Sequence, residues 1–220
     1  MILVGLVGIL LSLASYRVAF PQRVTGGARL FAACLILHFV ATLAYWQYTL
    51  HNPADSHLFY ADTLNWSHRR FKLGTIFVVK SVQWVKQIFG GSYLDFFLLF
   101  QAFGMMGIAL IIRSFQEVSY DLRQPLTWPL ALLLLLPGLH FWTSGIGKDG
   151  LLFLAVALSV WATIRIERRF PALIAALMIM APVRPHMAAI ASLALLATLL
   201  FDLRIRMIFK VPMALVTMIG

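Results

Sequence analysis

The stretch Tyr93–Ile112 reads YLDFFLLFQAFGMMGIALII and carries one charged side chain, Asp95. Twenty residues of α-helix, at about 1.5 Å per residue, reach about 30 Å, the thickness of the hydrocarbon core of a bilayer. The apolar residues run continuously and do not alternate with polar ones, as they do in the strands of a transmembrane barrel. This stretch therefore predicts a membrane-spanning helix.

The composition of the whole chain is also that of a membrane protein. The chain has 220 residues, of which 61% are hydrophobic and 12% are charged, and its mean hydropathy is +0.88. Soluble domains are about 45–50% apolar and about 25% charged. We expect a single membrane domain over residues 1–220, an all-α polytopic bundle of seven to eight spans. The other apolar runs are Ile2–Ser15, Leu30–Leu50, Leu126–Trp142, Leu151–Ile164, Pro171–Pro182 and Met187–Phe201.

The two ends of the sequence lead to separate expectations. Residues Met1–Tyr16 carry no charged side chain, which is not the pattern of a cleaved secretory signal, so they predict a retained first span. The last apolar run, Val211–Gly220, is too short to cross the bilayer alone. We expect it to pair with the preceding segment or to begin a helix of a longer protein that is truncated at residue 220.

The basic residues predict the orientation of the spans. Eleven Lys and Arg residues follow the first, third, fifth and seventh spans, whereas the short loops of the opposite side hold two, Lys148 and Arg184. Positive charge in short loops marks the cytoplasmic side. We expect a multi-pass protein of a bacterial cytoplasmic (inner) membrane, whose loops at 51–92, 143–150 and 183–186 face the periplasm or the cell exterior. The net charge of +10 follows from this rule and does not indicate nucleic-acid binding.

The first outer loop opens with HNPADSHLFYAD and concentrates polar side chains. Asp55 is the candidate general base, because a carboxylate can take the proton of an acceptor hydroxyl, and Asp62 can take the same role. His57 and Tyr60 are candidate substrate-binding residues beside them. The alternative for Asp55 is a structural role in a turn, since Asn-Pro-Ala-Asp is favourable turn chemistry.

The second part of this loop, Phe71–Phe89, has the pattern of an amphipathic helix. Lys80, Gln83, Lys86 and Gln87 fall on one face, and the other face is mostly apolar and includes Trp84. Basic helices with Trp and Phe on the apolar face suit the membrane surface. We expect an interfacial helix, with packing against the spans as the alternative.

The other two outer turns read LPGLHFWTSGIGKDG, Leu136–Gly150, and APVRPHM, Ala181–Met187. The spans beside them are short: Pro171–Pro182 reaches roughly 18 Å as a helix, about 12 Å less than the hydrocarbon core. We expect both turns to lie below the outer surface, where charged side chains line a water-filled cavity and indicate a functional site. The predicted lining includes His140, Trp142, Lys148, Asp149, Arg184 and His186.

The same charged residues leave structural roles open. The alternative for Arg184 and His186 is a snorkelling cation and a capping imidazole, and the alternative for Lys148-Asp149 is a local ion pair at a helix start. No histidine or cysteine pattern of a metal site occurs in the sequence. Asp55 or Asp62 together with a substrate phosphate leaves a divalent cation such as Mg²⁺ or Mn²⁺ open as a cofactor.

Taken together, these residues suit sugar transfer on the outer leaflet. Cations below the surface bind the phosphate of a lipid, aromatic rings stack on sugars, and a carboxylate deprotonates the acceptor hydroxyl. We therefore expect a polyprenyl-phosphate-linked sugar donor and membrane lipids as the partners, in the assembly of a cell-surface polysaccharide.

The layout resembles the GT-C class of integral membrane glycosyltransferases, which combine an acidic residue in the first large outer loop with amphipathic juxtamembrane helices and many spans. LPGLHFWTSGIGKDG and VRPH are also similar to uncharacterised multi-span proteins of bacterial exopolysaccharide loci. The resemblance covers residues 30–202. It implies a glycosyltransferase of the hexosyltransferase type, with Asp55 as the loop carboxylate and Lys148, Arg184 and His186 as phosphate-binding groups.

Two other functions fit the same residues. An O-antigen polymerase or ligase-like enzyme also handles an outer-leaflet lipid diphosphate with Arg and His, but it needs no loop aspartate. A non-enzymatic membrane subunit or transporter of polysaccharide assembly would pair the recessed charges with each other, Arg184 with Asp149.

Overall fold

The computed structural model describes residues 3–20, 27–61, 73–121 and 128–201. Every regular element in these ranges is an α-helix, which confirms the all-α prediction. In chain order, the helices of the described ranges are α1 Leu3–Ala19, α2 Ala28–His51, α3 Asp55–Ala61, α4 Thr75–Phe89, α5 Tyr93–Asp121, α6 Trp128–Leu134, α7 Pro137–Thr143, α8 Asp149–Ile164, α9 Ile166–Val183 and α10 Pro185–Phe201.

Helix α5 lies at the centre of the bundle, and α1, α2, α7 and α8 pack around it. The one charged residue of its apolar part, Asp95, caps its first turn. The Asp95 carboxylate accepts hydrogen bonds from the backbone N–H of Ser92 at 2.7 Å and from the Ser92 hydroxyl at 2.8 Å. A carboxylate at this position also faces the positive end of the helix dipole. The two ends of the bundle are called the Tyr93 end and the Asp121 end below.

Helix α1 packs on α5 through small residues. Buried small residues follow one another at alternating spacings of three and four: Gly5, Gly8, Ser12, Ser15 and Ala19. Four of the five leucines of α1 are about half-exposed. A Cβ atom on Gly8 would collide with the backbone carbonyl of Leu98. Small residues facing a neighbouring helix and large apolar residues facing outwards are the arrangement expected of helices packed in a membrane.

Helix α8 begins well below the Tyr93 end of the bundle. A Cβ atom on Gly150 would lie 2.7 Å from the carbonyl oxygen of Thr143 and 3.5 Å from that of Phe100. The start of α8 is therefore level with Phe100, seven residues into α5, or about 10 Å along the α5 axis. The turn before α8 is recessed within the bundle by the same distance.

An ionic network fixes the opposite, Asp121 end of α8. The Glu117 carboxylate on α5 accepts hydrogen bonds from Arg113 at 3.1 Å, from the Trp161 indole at 3.2 Å and from Arg169 at 2.6 Å. The Arg113 and Arg169 guanidinium carbons lie 4.6 Å and 4.0 Å from the centre of the Trp161 ring. Helices α5, α8 and α9 are therefore held together by charge-assisted hydrogen bonds and cation–π contacts.

Two helices of the described ranges are long and apolar enough to cross a membrane: Ala28–His51 and the Tyr93–Tyr120 part of α5. Helices α1 and α8 and the Pro185–Ala197 part of α10 are apolar but shorter. The described ranges thus show an all-helical chain with two helices that could cross a membrane, and the count of seven to eight spans stays a prediction. The run Val211–Gly220 lies outside the described residues.

Proline breaks or bends two of the predicted spans. The described part of Leu126–Trp142 consists of two short helices, α6 and α7, because Pro137 starts α7 and holds Leu136 in an extended conformation (φ −61°, ψ 120°). Helix α9 begins at Ile166, before the predicted start at Pro171, and bends at Arg169 (φ −118°, ψ 18°). Pro171 has no N–H for the helix ladder, which explains the bend.

Helix α4 combines packing against the bundle with an exposed face. Val78, Val79 and Val82 are fully buried, whereas Trp84 is 66% exposed. The predicted faces are therefore wrong for Trp84, which lies beside Lys80 and Gln87 around an open pocket. At 100° per residue around the helix, Trp84 lies closer to Lys80 than to the buried valines. The bundle therefore buries only the narrow face formed by Val78, Val79 and Val82.

We predict that Gly8→Ala lowers the thermal unfolding midpoint of the purified protein. The added methyl group meets the α5 backbone, which cannot move as a side chain can, and overpacking of this kind costs about 1–3 kcal/mol. The measurement is thermal unfolding in detergent micelles.

Gly138→Ala is the matched control for this substitution. A Cβ atom on Gly138 would meet nothing within 4 Å, and alanine is a better helix former than glycine by roughly 0.5–1 kcal/mol. The control should unfold at the wild-type temperature or slightly above it. Equal midpoints for both variants and the wild type would contradict the close α1–α5 contact.

Candidate functional site

A cavity of about 570 Å³ opens where the end of α2, the start of α3, the turn between α7 and α8 and the turn between α9 and α10 meet. Its walls are largely aromatic and glycine-rich, with a small set of charged groups. The lining residues are Tyr45, Tyr48, Pro53, Ala54, Asp55, Phe59, Phe141, Trp142, Gly145, Ile146, Gly147, Lys148, Asp149 and Arg184. The cavity thus brings together five of the side chains predicted for the site: Asp55, Trp142, Lys148, Asp149 and Arg184.

The recessed turn between α7 and α8 forms the floor of the cavity. Gly145 is required there, because a Cβ atom at this position would collide with the ring of Tyr45. Helix α8 begins at Asp149, and its first turn opens on the cavity. The positive end of the helix dipole therefore faces the same space as the lining cations.

The two recessed turns are joined by an ion pair. An Arg184 amino group lies 2.6 Å from the Asp149 carboxylate, and their side chains are 36% and 48% exposed. Arg184 is the residue between α9 and α10, and its backbone is extended (φ −144°, ψ 87°), as expected for a residue before a proline. At this exposure the pair contributes little stability, about 0–1 kcal/mol, but it orients the guanidinium beside the cavity.

Lys148 and Asp55 are the charged lining residues that are left without a counter-charge. Within the described ranges, the Lys148 ammonium and the Asp55 carboxylate have no hydrogen-bond or ion-pair partner. Asp55 is exposed and is the first residue of α3, where a carboxylate also favours the helix start. Both the functional and the local structural interpretation of Asp55 therefore remain compatible with its position.

His57 and Tyr60 lie on α3 but outside the cavity. The His57 ring stacks on Tyr93 at 5.0 Å, and its Nε2 lies 2.5 Å from the Thr49 carbonyl oxygen. The Tyr60 hydroxyl donates a hydrogen bond to the Gly91 carbonyl at 2.9 Å, and the Lys86 ammonium lies 3.8 Å from the centre of the Tyr60 ring. Burial raises the pKa of Tyr60, and the Asp95 charge adds to the shift, so its hydroxyl stays a donor. Both residues hold α3 in place and do not line the cavity.

His140 and His186 were predicted to line the cavity, but neither is among its lining residues. His140 is fully buried, with Nε2 2.7 Å from the Leu134 carbonyl oxygen and Nδ1 3.2 Å from Nδ1 of His38. Its ring points into the bundle because the break between α6 and α7 leaves that carbonyl without a helical partner. His186 is exposed in the first turn of α10 and is not among the lining residues.

The role of Asp62 and the presence of a metal ion are two further predictions that stay open. Asp62 lies outside them, so its place relative to the cavity is not described. Among the described residues, no three His, Cys, Asp or Glu side chains are close enough to hold a metal ion. A divalent cation shared with a substrate phosphate stays a prediction.

Sequence reasoning missed the aromatic wall that α2 contributes. Tyr45 and Tyr48 lie one turn apart near the end of α2 and line the cavity, and the Tyr45 ring packs 4.5 Å from Phe141. Tyrosines near the end of a span are typical of the membrane interface. That signal was present in the sequence, but it does not indicate which face of α2 turns towards the neighbouring helices.

No protein-family model, curated protein or solved structure matches this chain.

We predict that the Arg184–Asp149 pair can be recovered by exchanging the charges. Asp149→Arg alone places like charges together, and Arg184→Asp alone does the same, so each should lower the thermal unfolding midpoint. The double variant should regain part of the loss, with a coupling of about 0.2–1 kcal/mol. Recovery is partial because an arginine at the start of α8 opposes the helix dipole.

Glu167→Arg provides the control, since it makes the same charge change at an exposed position of α9 near the Asp121 end. It should shift the midpoint by less than either single variant. If the midpoint of the double variant falls by the sum of the two single-variant losses, Arg184 and Asp149 do not stabilise each other.

Proposed function

We propose that this protein transfers a sugar from a polyprenyl-phosphate-linked donor to an acceptor at the outer face of the membrane, in cell-surface polysaccharide assembly. The observation that supports the proposal is the meeting of a carboxylate, unpaired and paired cations and aromatic rings around one cavity. These groups come from segments far apart in the sequence, and each has a separate part in such a transfer.

The cations suit the phosphate of the donor. Lys148 has no partner in the described ranges, and it lies beside the first turn of α8, where backbone N–H groups also favour an anion. Arg184 uses one amino group for Asp149 and retains further N–H donors for a second anion. Two cations and a helix start together stabilise the charge that develops on a phosphate leaving group.

Asp55 suits the acceptor. In the proposed reaction its carboxylate takes the proton of the acceptor hydroxyl while that oxygen attacks the anomeric carbon of the sugar. The bond between the anomeric carbon and the phosphate oxygen breaks, and the electron pair leaves with the polyprenyl phosphate. The rings of Tyr45, Phe141 and Trp142 supply faces on which a sugar can stack.

The exposed face of α4 suits the interfacial position proposed for this helix. Trp84 and Ile88 are each more than half exposed, and Lys80 lies on the same side as Trp84. A helix with aromatic and aliphatic side chains beside lysine binds the boundary between headgroups and acyl chains. In this proposal α4 rests on the outer leaflet, next to the cavity mouth formed by α3.

One observation favours a second candidate, a non-enzymatic membrane subunit of polysaccharide assembly. The Arg184–Asp149 pair satisfies two of the recessed charges within the protein itself. A purely structural pair of this kind needs neither Asp55 nor Lys148. The first experiment below separates the two candidates.

We predict that Asp55→Asn abolishes function while the chain still folds. Asparagine keeps the size of the side chain but cannot accept the proton, and loss of a general base costs about 100-fold or more in rate. The measurement is restoration of the surface polysaccharide in a strain that lacks the chromosomal gene, with protein abundance quantified in the membrane fraction.

Asp62→Asn is the matched control, and it should leave function near the wild-type level. Full function of Asp55→Asn would remove the proposed base and would fit either the non-enzymatic subunit or an O-antigen polymerase or ligase-like enzyme, which needs no loop aspartate. Loss of function in Asp62→Asn alone would transfer the role of base to Asp62.

We predict that the cavity faces the outside of the cell. In a Cys34→Ser background, a single cysteine at Pro53, which lines the cavity mouth, should react with a membrane-impermeant thiol reagent in intact cells. A cysteine at Tyr120, which is 83% exposed near the Asp121 end, should react only after the cells are opened. The reverse pattern would place the cavity on the cytoplasmic side and exclude an outer-leaflet donor.

A further inference from the structure

An apolar groove of about 370 Å³ lies between α2 and α7, next to the polar cavity. Leu37, Val40, Ala41 and Ala44 form one wall, and Pro137, Gly138 and Phe141 form the other. No lining side chain carries a charge or a hydrogen-bonding group. Such a surface has no means of recognising a polar ligand, and it favours a hydrocarbon.

The groove and the cavity are continuous along two helices. Phe141 lines both spaces. On α2, Tyr45 and Tyr48 line the cavity, and the next two turns towards the middle of the helix line the groove. From Ala44 to Leu37 the groove follows α2 for seven residues, which is about 10 Å. A molecule that occupies both spaces is therefore charged at one end and apolar along its length.

Small residues keep the groove open towards the outer surface of the bundle. A Cβ atom on Gly138 would meet nothing within 4 Å, and Ala44 is exposed on the opposite wall. Val40 is 57% exposed on a helix long and apolar enough to cross a membrane. The groove thus opens sideways, where a hydrocarbon chain can enter from the bilayer without crossing water.

We propose that the groove holds the hydrocarbon chain of a lipid phosphate whose headgroup occupies the cavity. The charge at the cavity end supports this occupant, because Lys148, which has no partner in the described ranges, attracts an anion there, and the groove beside it favours an apolar chain. This inference rests on the proposed function for the identity of the headgroup. It adds the route by which the lipid reaches the cavity and the apolar wall that its chain contacts.

The test compares ligands that share a phosphate and differ in the chain. Purified protein in lipid nanodiscs is titrated with radiolabelled long-chain polyprenyl phosphate, with dodecyl phosphate and with isopentenyl phosphate. The wild type should bind both long-chain ligands at least tenfold more tightly than isopentenyl phosphate. If dodecyl phosphate binds more weakly than the polyprenyl ligand, the groove prefers an isoprenoid chain. If the two bind equally, the groove accepts any single hydrocarbon chain.

Gly138→Leu fills the groove and should weaken binding of the long-chain ligands by tenfold or more without affecting isopentenyl phosphate. Ala44→Leu fills it from the opposite wall and should do the same, so the proposal stays testable if one variant fails to fold. Lys148→Met should weaken binding of all three ligands. Ala14→Leu makes the same enlargement at an exposed position of α1, outside the groove and the cavity, and should bind like the wild type.

Different failures separate this inference from the proposed function. If both leucine variants bind all three ligands as the wild type does, the hydrocarbon chain does not occupy the groove. The proposed phosphate site in the cavity would be unaffected by that result. An absence of lipid phosphate binding by the wild type would overturn the proposed function and the groove together. A change in the oligomeric state of Gly138→Leu, with lipid binding intact, would identify a second copy of the chain as the occupant and overturn the inference.

Discussion

The close approach of helix backbones at glycine is the constraint on which the bundle depends. Gly8 brings α1 against the α5 carbonyls, and Gly150 brings the start of α8 against the carbonyl of Thr143. No side chain fits between these helices, so dispersion between backbone atoms and small side chains provides the packing. The leucines of α1 consequently point outwards, which suits a lipid environment and would be costly in water.

The cavity is a consequence of unequal helix lengths. Helix α5 extends to the Tyr93 end, whereas α8 begins level with Phe100 because Gly150 docks beneath Thr143. The Glu117 network fixes the other end of α8, so the helix cannot slide upwards to fill the gap. The space above it is closed by the aromatic end of α2 and by α3, and charged side chains remain there because water can reach them.

The features that could be predicted from sequence are those set by local chemistry. Continuous apolar runs predict helices. The shortness of the run after Asp149 predicts that Lys148 and Asp149 are recessed, because the depth of the turn follows from the number of residues in the run. Most partners far apart in the chain could not be predicted, and the Arg184–Asp149 pair, which the non-enzymatic alternative includes, is an exception. His140 has the same sequence context whether it faces water or His38, 102 residues away. The mostly apolar pattern of α2 does not reveal that Tyr45 lines the cavity. The face of Trp84 could have been predicted, because the spacing of 100° per residue already places it closer to Lys80 than to the buried valines.

The contact between α3 and α4 has a mechanical consequence. Gln83 donates a hydrogen bond to the Tyr60 carbonyl at 2.7 Å, and Lys86 lies 3.4 Å from the same oxygen. The end of α3 is therefore attached to α4, and α3 is also held to the bundle, because the Tyr60 hydroxyl donates a hydrogen bond to the Gly91 carbonyl. If α4 follows the headgroup layer, hydrophobic mismatch would strain these contacts first, since they join the partly exposed helix to the packed bundle. Under the proposed function, the position of Asp55 at the start of α3 would then depend on the thickness of the host membrane.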